Sequence, residues 1–278
     1  MNQTLEAMAQ ALFQSWFVDF DPVIDKALAN GKEIPGELSH RVEVRKKARE
    51  EFPELFNQYS DLFPDSFHFT EELGWIPEGW KSGKITDLAK LNAESWTTRN
   101  HPDSIIYVDL ANTKNGQINE FTNYEYKKAP SRARRVTRKH DTIIGTVRPG
   151  NRSFAYIQEE GLTVSTGFAV LRPKAAFSRS FVYLRLTQDE VINELAKLAD
   201  GAAYPAVRPD VVGNIRVTIP NEIYLEKFEH ICSSFTEKIS TNAANSRILK
   251  QLRDTLLPKL ISGEIDVSEF ESTVSEHL

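Results

Sequence analysis

The sequence predicts an α+β fold: one globular domain with a mixed or antiparallel sheet, attached to long helices of coiled-coil-like spacing. Three observations lead there. Short β-branched and aromatic runs bounded by Gly, Pro, Asn or Asp occur only in the middle of the chain, which is the pattern of strands. After Pro220 apolar residues recur at helical spacing as far as Ser262. At the start, Leu5, Met8, Ala9, Leu12, Phe13 and Trp16 follow the three- and four-residue rhythm of one helix face.

The first element is therefore a helix within residues 1–21, halted at Asp21-Pro22 because the residue before a proline is pushed out of helical geometry. Residues 22–77 read as a connector, with a short charged helix near 38–51 amid Pro- and Phe-rich loop. The globular domain spans 78–220. Its strands are expected at 104–108, 142–147, 162–164, 168–171 and 215–219, interrupted by one helix near 178–199 with Phe181, Leu184, Val191, Leu195 and Leu198 inward. Residues 221–263 form the long helix, with Phe228, Cys232, Phe235, Ile239, Asn242, Leu249, Leu252, Leu256 and Leu260 on its stripe and Gly263 as its stop. At 1.5 Å per residue it spans roughly 60 Å, more than a small domain needs for its own core. Asn242, Asn245 and Ser246 interrupt the stripe. They read first as a solvated stretch, and alternatively as a polar layer that fixes register. Residues 264–278 are a tail.

The two terminal helices repeat one another. Leu5, Met8, Leu12, Phe13 and Trp16 align with Leu249, Leu252, Leu256, Leu257 and Leu260 at a constant offset of 244. Equal apolar faces at both ends can pair within one chain or between two copies, although amphipathic helices also match by chance.

Composition narrows the function. With 278 residues, 40% hydrophobic and 26% charged, the chain is globular and not disordered. No apolar run reaches the ~20 residues that cross a bilayer, and the amphipathic start lacks the basic opening of a signal peptide, so the cytoplasm is the expected compartment. The lone Cys232 excludes an internal disulfide framework and multi-cysteine zinc sites. The net charge of −5 is unevenly spread: residues 1–77 hold 7 Lys+Arg against 14 Asp+Glu, residues 78–220 hold 21 against 15, and residues 221–278 hold 6 against 10. A basic centre between acidic ends suits an anionic polymer.

Catalytic signals are mostly negative. The histidines (40, 68, 101, 140, 230, 277) never fall at metal-ligand spacing. Gly145-Thr-Val-Arg-Pro-Gly150 has the outer glycines of a phosphate loop, but Asn151-Arg152 follow where Lys-Ser/Thr is required. Neither GxGxxG nor the Asn/Asp-Pro-Pro-Tyr/Phe of amino-methyltransferases occurs, and no cofactor is expected. Pro102-Asp103 followed by Glu125-Tyr126-Lys127 has the residue order of a PD-(D/E)xK nuclease, in which two carboxylates hold Mg²⁺. The polar Phe121–Tyr124 stretch before Glu125 does not suit the buried strand such a site needs.

The positive signal is the run from Lys127 to Lys139. It carries Lys127, Lys128, Arg132, Arg134, Arg135, Arg138 and Lys139 with no acid among them. Arginine's planar fork matches phosphate and the O6/N7 edge of guanine. Arg148 and Arg152 flank a Pro-Gly turn, and with Tyr204 and Arg208 they are candidates to join the same surface. The bland alternative is a solvated basic loop. Basic loops also serve RNA binding, and the helices alone would suit a protein-binding scaffold.

Several stretches together resemble the specificity (S) subunit of type I restriction–modification systems. Ala11-Leu-Phe-Gln-Ser-Trp16-Phe-Val-Asp-Phe-Asp-Pro22 resembles the end of the family's central conserved region, and Leu73-Gly-Trp-Ile-Pro-Glu-Gly-Trp80 the entry to its second target-recognition domain. Gly201-Ala-Ala-Tyr204-Pro205 through Ile215–Pro220 resembles that domain's exit, and Leu252-Arg-Asp-Thr-Leu-Leu-Pro258 to Ile265 the C-terminal conserved helix. Asn221-Glu222-Ile223 stands where the family often has a Glu-Gln pair. The resemblance implies a non-catalytic subunit, half-length or a C-terminal half, whose single recognition domain reads one half of a bipartite double-stranded DNA target. It also implies docking of methyltransferase (M) subunits, and through them the restriction (R) subunit, by the conserved helices. Leu5, Met8, Leu12, Trp16, Phe228, Phe235, Ile239, Leu249, Leu252, Leu256 and Leu260 are the expected helix or subunit interface, and a homodimer would pair two identical readers.

Overall fold

The computed structural model describes residues 1–52, 62–200 and 205–265. They form two compact units, one of Ala7–Ser233 and one of Met1–Glu6 with the chain from Ser234 onward.

Helix α1 (Asn2–Phe13) buries Ala9 and Phe13 and passes into a π turn, Gln14–Val18, in which the Asp19 amide donates to the Gln14 carbonyl at 2.8 Å. The wider turn shifts the helical phase, so that Trp16 and the adjacent Phe17 are both buried. The expected stop at Asp21-Pro22 needs correction. The helix is over by Val18, Phe20 takes a left-handed φ of 55°, and Pro22 lies in the first turn of a second helix, α2 (Asp21–Ala29). A proline there has no intrahelical hydrogen bond to forfeit.

The stretch expected as connector is more regular than its composition suggests. Helix α3 (Ser39–Glu51) is where the sequence placed it, bound to α2 by Arg41 on Asp21 at 2.7 Å and Arg45 on Asp25 at 2.5 Å. Strands β1 (Phe67–Thr70) and β2 (Gly74–Pro77) form an antiparallel hairpin that the sequence reading left as loop.

Two four-stranded sheets build the centre of the larger unit. One has the order β11 (Phe154–Tyr156), β10 (Thr142–Gly145), β13 (Phe168–Pro173), β4 (Ala89–Leu91), all antiparallel. The other has β8 (Thr122–Glu125), β5 (Ser104–Val108), β12 (Leu162–Ser165), β9 (Ala133–Val136), with β5 and β12 parallel. Strand β14 (Arg216–Ile219) pairs with β3 (Lys81–Lys84). Every run expected as a strand thus lies on one. Val108, Ile143, Ala155, Leu162, Val164, Phe168 and Val170, drawn from both large sheets, meet in one core.

The helix expected at 178–199 is two helices, α4 (Arg179–Thr187) and α5 (Asp189–Ala199), parted at Gln188, whose ψ of 142° is extended. That break resets the inward face. Val191, Ile192 and Leu195 are buried, but Leu198 is 59% exposed, contrary to expectation.

A cluster of aromatic side chains closes the larger unit. Phe17 lies 4.9 Å from both Phe181 and Phe228, Trp16 lies 5.0 Å from Phe63, and Trp80 lies 5.2 Å from Tyr224, measured between ring centroids. The tilted and edge-on arrangements are those that the ring quadrupoles favour. Phe228 and Tyr224 belong to α6 (Glu222–Ile261), the long helix, so the first and last helical segments meet within one chain. Gly263 ends α6 with φ 73°, and the Glu264 amide donates back to the Lys259 carbonyl at 2.9 Å.

In the smaller unit, the Asn242 amide donates to Asn2 Oδ1 at 2.7 Å, and Asn2 donates to the Ile239 carbonyl at 3.3 Å. Asn242 is thus a paired polar layer and not the solvated interruption first read from the sequence. Leu249, Leu252, Leu256 and Leu260 are exposed, by 64%, 50%, 43% and 39%, as are Ile248, Leu257 and Ile261. Phe235, Ile239 and Leu5 are half-buried.

Candidate nucleic-acid interface

The basic run is a strand and its flanks, not the continuous loop the sequence suggested. Tyr126 is buried against Ile105, Tyr107 and Ala133, and from Ala133 the chain becomes β9, pairing Arg135 with Val164 and Ala133 with Ser165. On its other side β9 is met by the 94–96 segment, with the Trp96 amide on the Arg134 carbonyl at 2.8 Å and the Val136 amide on the Glu94 carbonyl at 3.2 Å.

This pairing sorts the cations. Arg132 stands at the end of β9 where the β12–β13 turn lies, and its carbonyl accepts from the Thr166 amide at 2.8 Å. The next residue of that turn, Gly167, accepts from the Thr146 amide at 2.8 Å. A Cβ on Gly167 would fall 2.7 Å from the end of the Leu110 side chain, which would have to move aside. Arg132 and the 146–153 turn are therefore brought to one end of the two sheets. Arg138 and Lys139 follow the other end of β9.

The 146–153 turn is rigid. Arg148 and Arg152, flanking Pro149–Asn151, both have left-handed backbones, with φ 47° and 58°. Such conformations cost non-glycine residues about 1 kcal/mol or more and persist only where neighbours enforce them. The Arg148 amide donates to Pro205 O at 2.9 Å, and Val147 bridges Ala206. Arg152 binds Asp189 at 2.8 Å and Asn115 at 2.9 Å, with its guanidinium over the Phe154 ring. Arg152 therefore braces the turn, whereas Arg148 projects exposed and has no side-chain partner among the described residues. Tyr204, expected beside it, lies outside the described residues.

The remaining candidates divide by their partners. Arg132 donates from Nη2 to Asp109 at 2.6 Å and from Nε to the Tyr107 hydroxyl at 3.2 Å. Against the upward push of burial, Arg132 and the Ala111 amide hold the Asp109 carboxyl below its usual range. Lys128 pairs with Glu125 at 2.8 Å and Arg208 with Asp210 at 3.0 Å, both on the surface. Arg138 binds Glu94 at 2.7 Å, and Glu94 is shared with Arg172, which also holds Asp141 at 3.0 Å. Arg134 meets no carboxylate among the described residues. It donates to the Tyr126 hydroxyl, and Tyr126 stacks on His101 with centroids 3.8 Å apart. Arg135 is half-buried with only Ser95 Oγ at 3.3 Å and an unsatisfied Nε, and burial pulls its pKa down. Lys127 and Lys139 are exposed and meet no carboxylate among the described residues.

Sequence reasoning missed the acids and hydroxyls that hold these arginines: Asp109, Tyr107, Glu94, Asp189 and Ser95. Only Asp109, an acid directly after the apolar strand β5, left a local trace. The nuclease pattern is brought together in backbone only, the Tyr126 amide donating to the Asp103 carbonyl at 2.8 Å, and its side chains lie on the surface. Asp103 and Lys127 are exposed, and Glu125 is an exposed residue on the edge strand β8, bound to Lys128.

Asp141 is 1% exposed, and burial drives its carboxyl upward despite Arg172. Replacing Arg172 with alanine leaves that carboxylate uncompensated, so the free energy of unfolding in urea is expected to fall by about 3–5 kcal/mol. Arg138→Ala, which removes a more exposed partner of Glu94, should cost no more than about 1 kcal/mol.

In the helical part, Trp16 and Phe228 are buried in the aromatic cluster, Leu12 is half-buried, and Met8 is 50% exposed, off the face the sequence rhythm assigned to it.

No family model matches the chain. It is 27% identical over 296 aligned residues to the HindI type I restriction enzyme specificity subunit of Haemophilus influenzae, covering 95% of this chain and 62% of that protein. It is 24% identical to the MjaIX specificity subunit of Methanocaldococcus jannaschii, covering 96% of this chain and 54% of that one. The chain thus spans little more than half the length of the curated relatives it matches. A solved structure from work on assembly and conformational transition of the type I restriction–modification system aligns with a TM-score of 0.50 and 26% identity, over 70% of this chain and 50% of that one.

Proposed function

Because the chain is a homologue of the specificity subunits of type I restriction enzymes, we propose that it is a non-catalytic reader of double-stranded DNA that takes one half of a bipartite target. Residues 78–220 are the reader. Lys127, Arg134, Arg135, Lys139 and Arg148, which meet no carboxylate among the described residues, supply the charge that neutralises phosphates. The braced 146–153 turn and the end of β9 face the base edges of the major groove. Helix α6 docks the methyltransferase subunit through its exposed leucines, and that subunit in turn recruits the restriction subunit. The observation that carries the reading is the set of cations on and around β9 and the strained, braced arginine turn that meet no carboxylate among the described residues, in a chain whose curated relatives are specificity subunits.

The test is to map methylated positions in cells that supply this chain with its cognate methyltransferase. Methylation at one defined split sequence is expected, and methylation unchanged when the chain is omitted would refute the reading. A palindromic split sequence is the expected pattern if two copies of the chain act together. Leu252→Asp with Leu256→Asp should abolish co-purification of the methyltransferase while the DNA-reading unit keeps its melting temperature within about 2 °C, because both leucines are exposed. Retained co-purification would remove this stripe from the docking surface.

A further inference from the structure

We propose that Arg132, aimed by Asp109 and Tyr107, is the arginine that reads a base, and that the base is guanine. The inference rests on the recognition role given above and assigns it to one side chain.

A guanidinium has five N–H donors in a fixed plane. In Arg132 the Nε–H goes to the Tyr107 hydroxyl at 3.2 Å and one Nη2–H to Asp109 Oδ2 at 2.6 Å. These two bonds use one edge of the fork. The end formed by Nη1 and the second Nη2–H has no partner among the described residues, and it is the pair of parallel donors that O6 and N7 of guanine accept. The side chain is 58% exposed, so that end faces solvent.

The aim is built in depth. The Tyr107 hydroxyl donates to Asp109 Oδ2 at 3.3 Å while accepting from Arg132, and Asp109 Oδ1 accepts from the Ala111 amide at 3.3 Å. The Arg132 carbonyl is fixed by Thr166, and the Ala133 amide donates to Pro130 O at 2.9 Å. An arginine held in this way has already lost its rotamer freedom before DNA arrives, which favours discrimination over general attraction. Because Asp109 neutralises it, Arg132 adds little to phosphate attraction.

Arg152, Arg138 and Arg148 lack this combination. Arg152 spends Nε on Asn115 and Nη1 on Asp189, which occupies both edges. Arg138 is shared into the Glu94 cluster at the other end of β9. Arg148 has no partner among the described residues to aim it, so it can follow a phosphate but does not present a preset fork.

The test is selection from a random duplex pool by the chain in complex with its methyltransferase. Wild type should enrich one half-site containing a guanine whose preference falls by at least about tenfold in Arg132→Lys, with affinity for unrelated duplex kept within about twofold. Asp109→Asn and Tyr107→Phe should lower the same preference by about threefold while leaving the other positions intact, a positional signature that a merely structural ion pair would not give. Full guanine preference in Arg132→Lys, or equal loss at every position, overturns the assignment but leaves the recognition role standing. A wild-type pool without any enriched sequence overturns both.

Discussion

Replacing Arg134, Arg135 and Arg148 together with alanine is expected to weaken duplex binding on the order of a hundredfold at about 0.1 M salt, and to make the slope of log K against log salt shallower by about 2 to 3. The size follows from counterion release: each phosphate neutralised contributes about 0.9 to that slope, and none of these three cations is spent on a carboxylate among the described residues. Arg135 adds a second reason. Its guanidinium is half out of water with only a serine hydroxyl beside it, so an arriving phosphate offsets a desolvation cost already present in the free protein. Sequence preference should survive, because phosphate contacts carry no base information. Titration by fluorescence anisotropy across a salt series, with the methyltransferase present, measures both quantities. An unchanged slope would take these side chains out of the interface.

Phe228→Ala is expected to lower the free energy of unfolding by about 3–5 kcal/mol, the usual loss when a buried aromatic ring is truncated. Phe228 is fully buried and touches Phe13, Trp16 and Phe17, so its removal opens a cavity where the first and last helical segments join. The loss is a large share of a domain's usual stability of about 5–15 kcal/mol, and the midpoint of urea unfolding should shift with little change in slope. Leu260→Ala, at the exposed end of the same stripe, should change stability by less than about 0.5 kcal/mol. The contrast divides one helical stripe into a part that holds the domain together and a part free to meet another subunit. Equal effects at both positions would contradict that division.

Much of the fold was legible in advance. Ser104–Val108 and Thr142–Val147 read as strands because β-branched residues between turn formers suit a pleated, buried surface; the first is a strand throughout and the second through Gly145. Gly263 read as a helix stop because only glycine takes φ 73° without cost, and it is one. The hairpin at Phe67–Pro77 was hidden by its proline and aromatic residues, which mimic a packed loop. The π turn at Gln14–Val18 left no trace, since one extra residue in a turn is invisible to a rhythm that accepts both three- and four-residue steps. The candidate interface was legible as composition only: seven cations within 127–139, in the one net-basic segment of an acidic chain.

By itself, then, the sequence determined where strands and helices form, which faces are apolar, where positive charge accumulates and which family the chain resembles, all of them properties of neighbouring residues. The tertiary structure alone decided which cations are free to act. Arg132 meets Asp109, Arg138 meets Glu94 and Arg152 meets Asp189 only because sheet register and helix packing join residues 23, 44 and 37 positions apart. A guanidinium's availability depends on whether a carboxylate lies within about 4 Å of it, and separation along the chain does not set that distance.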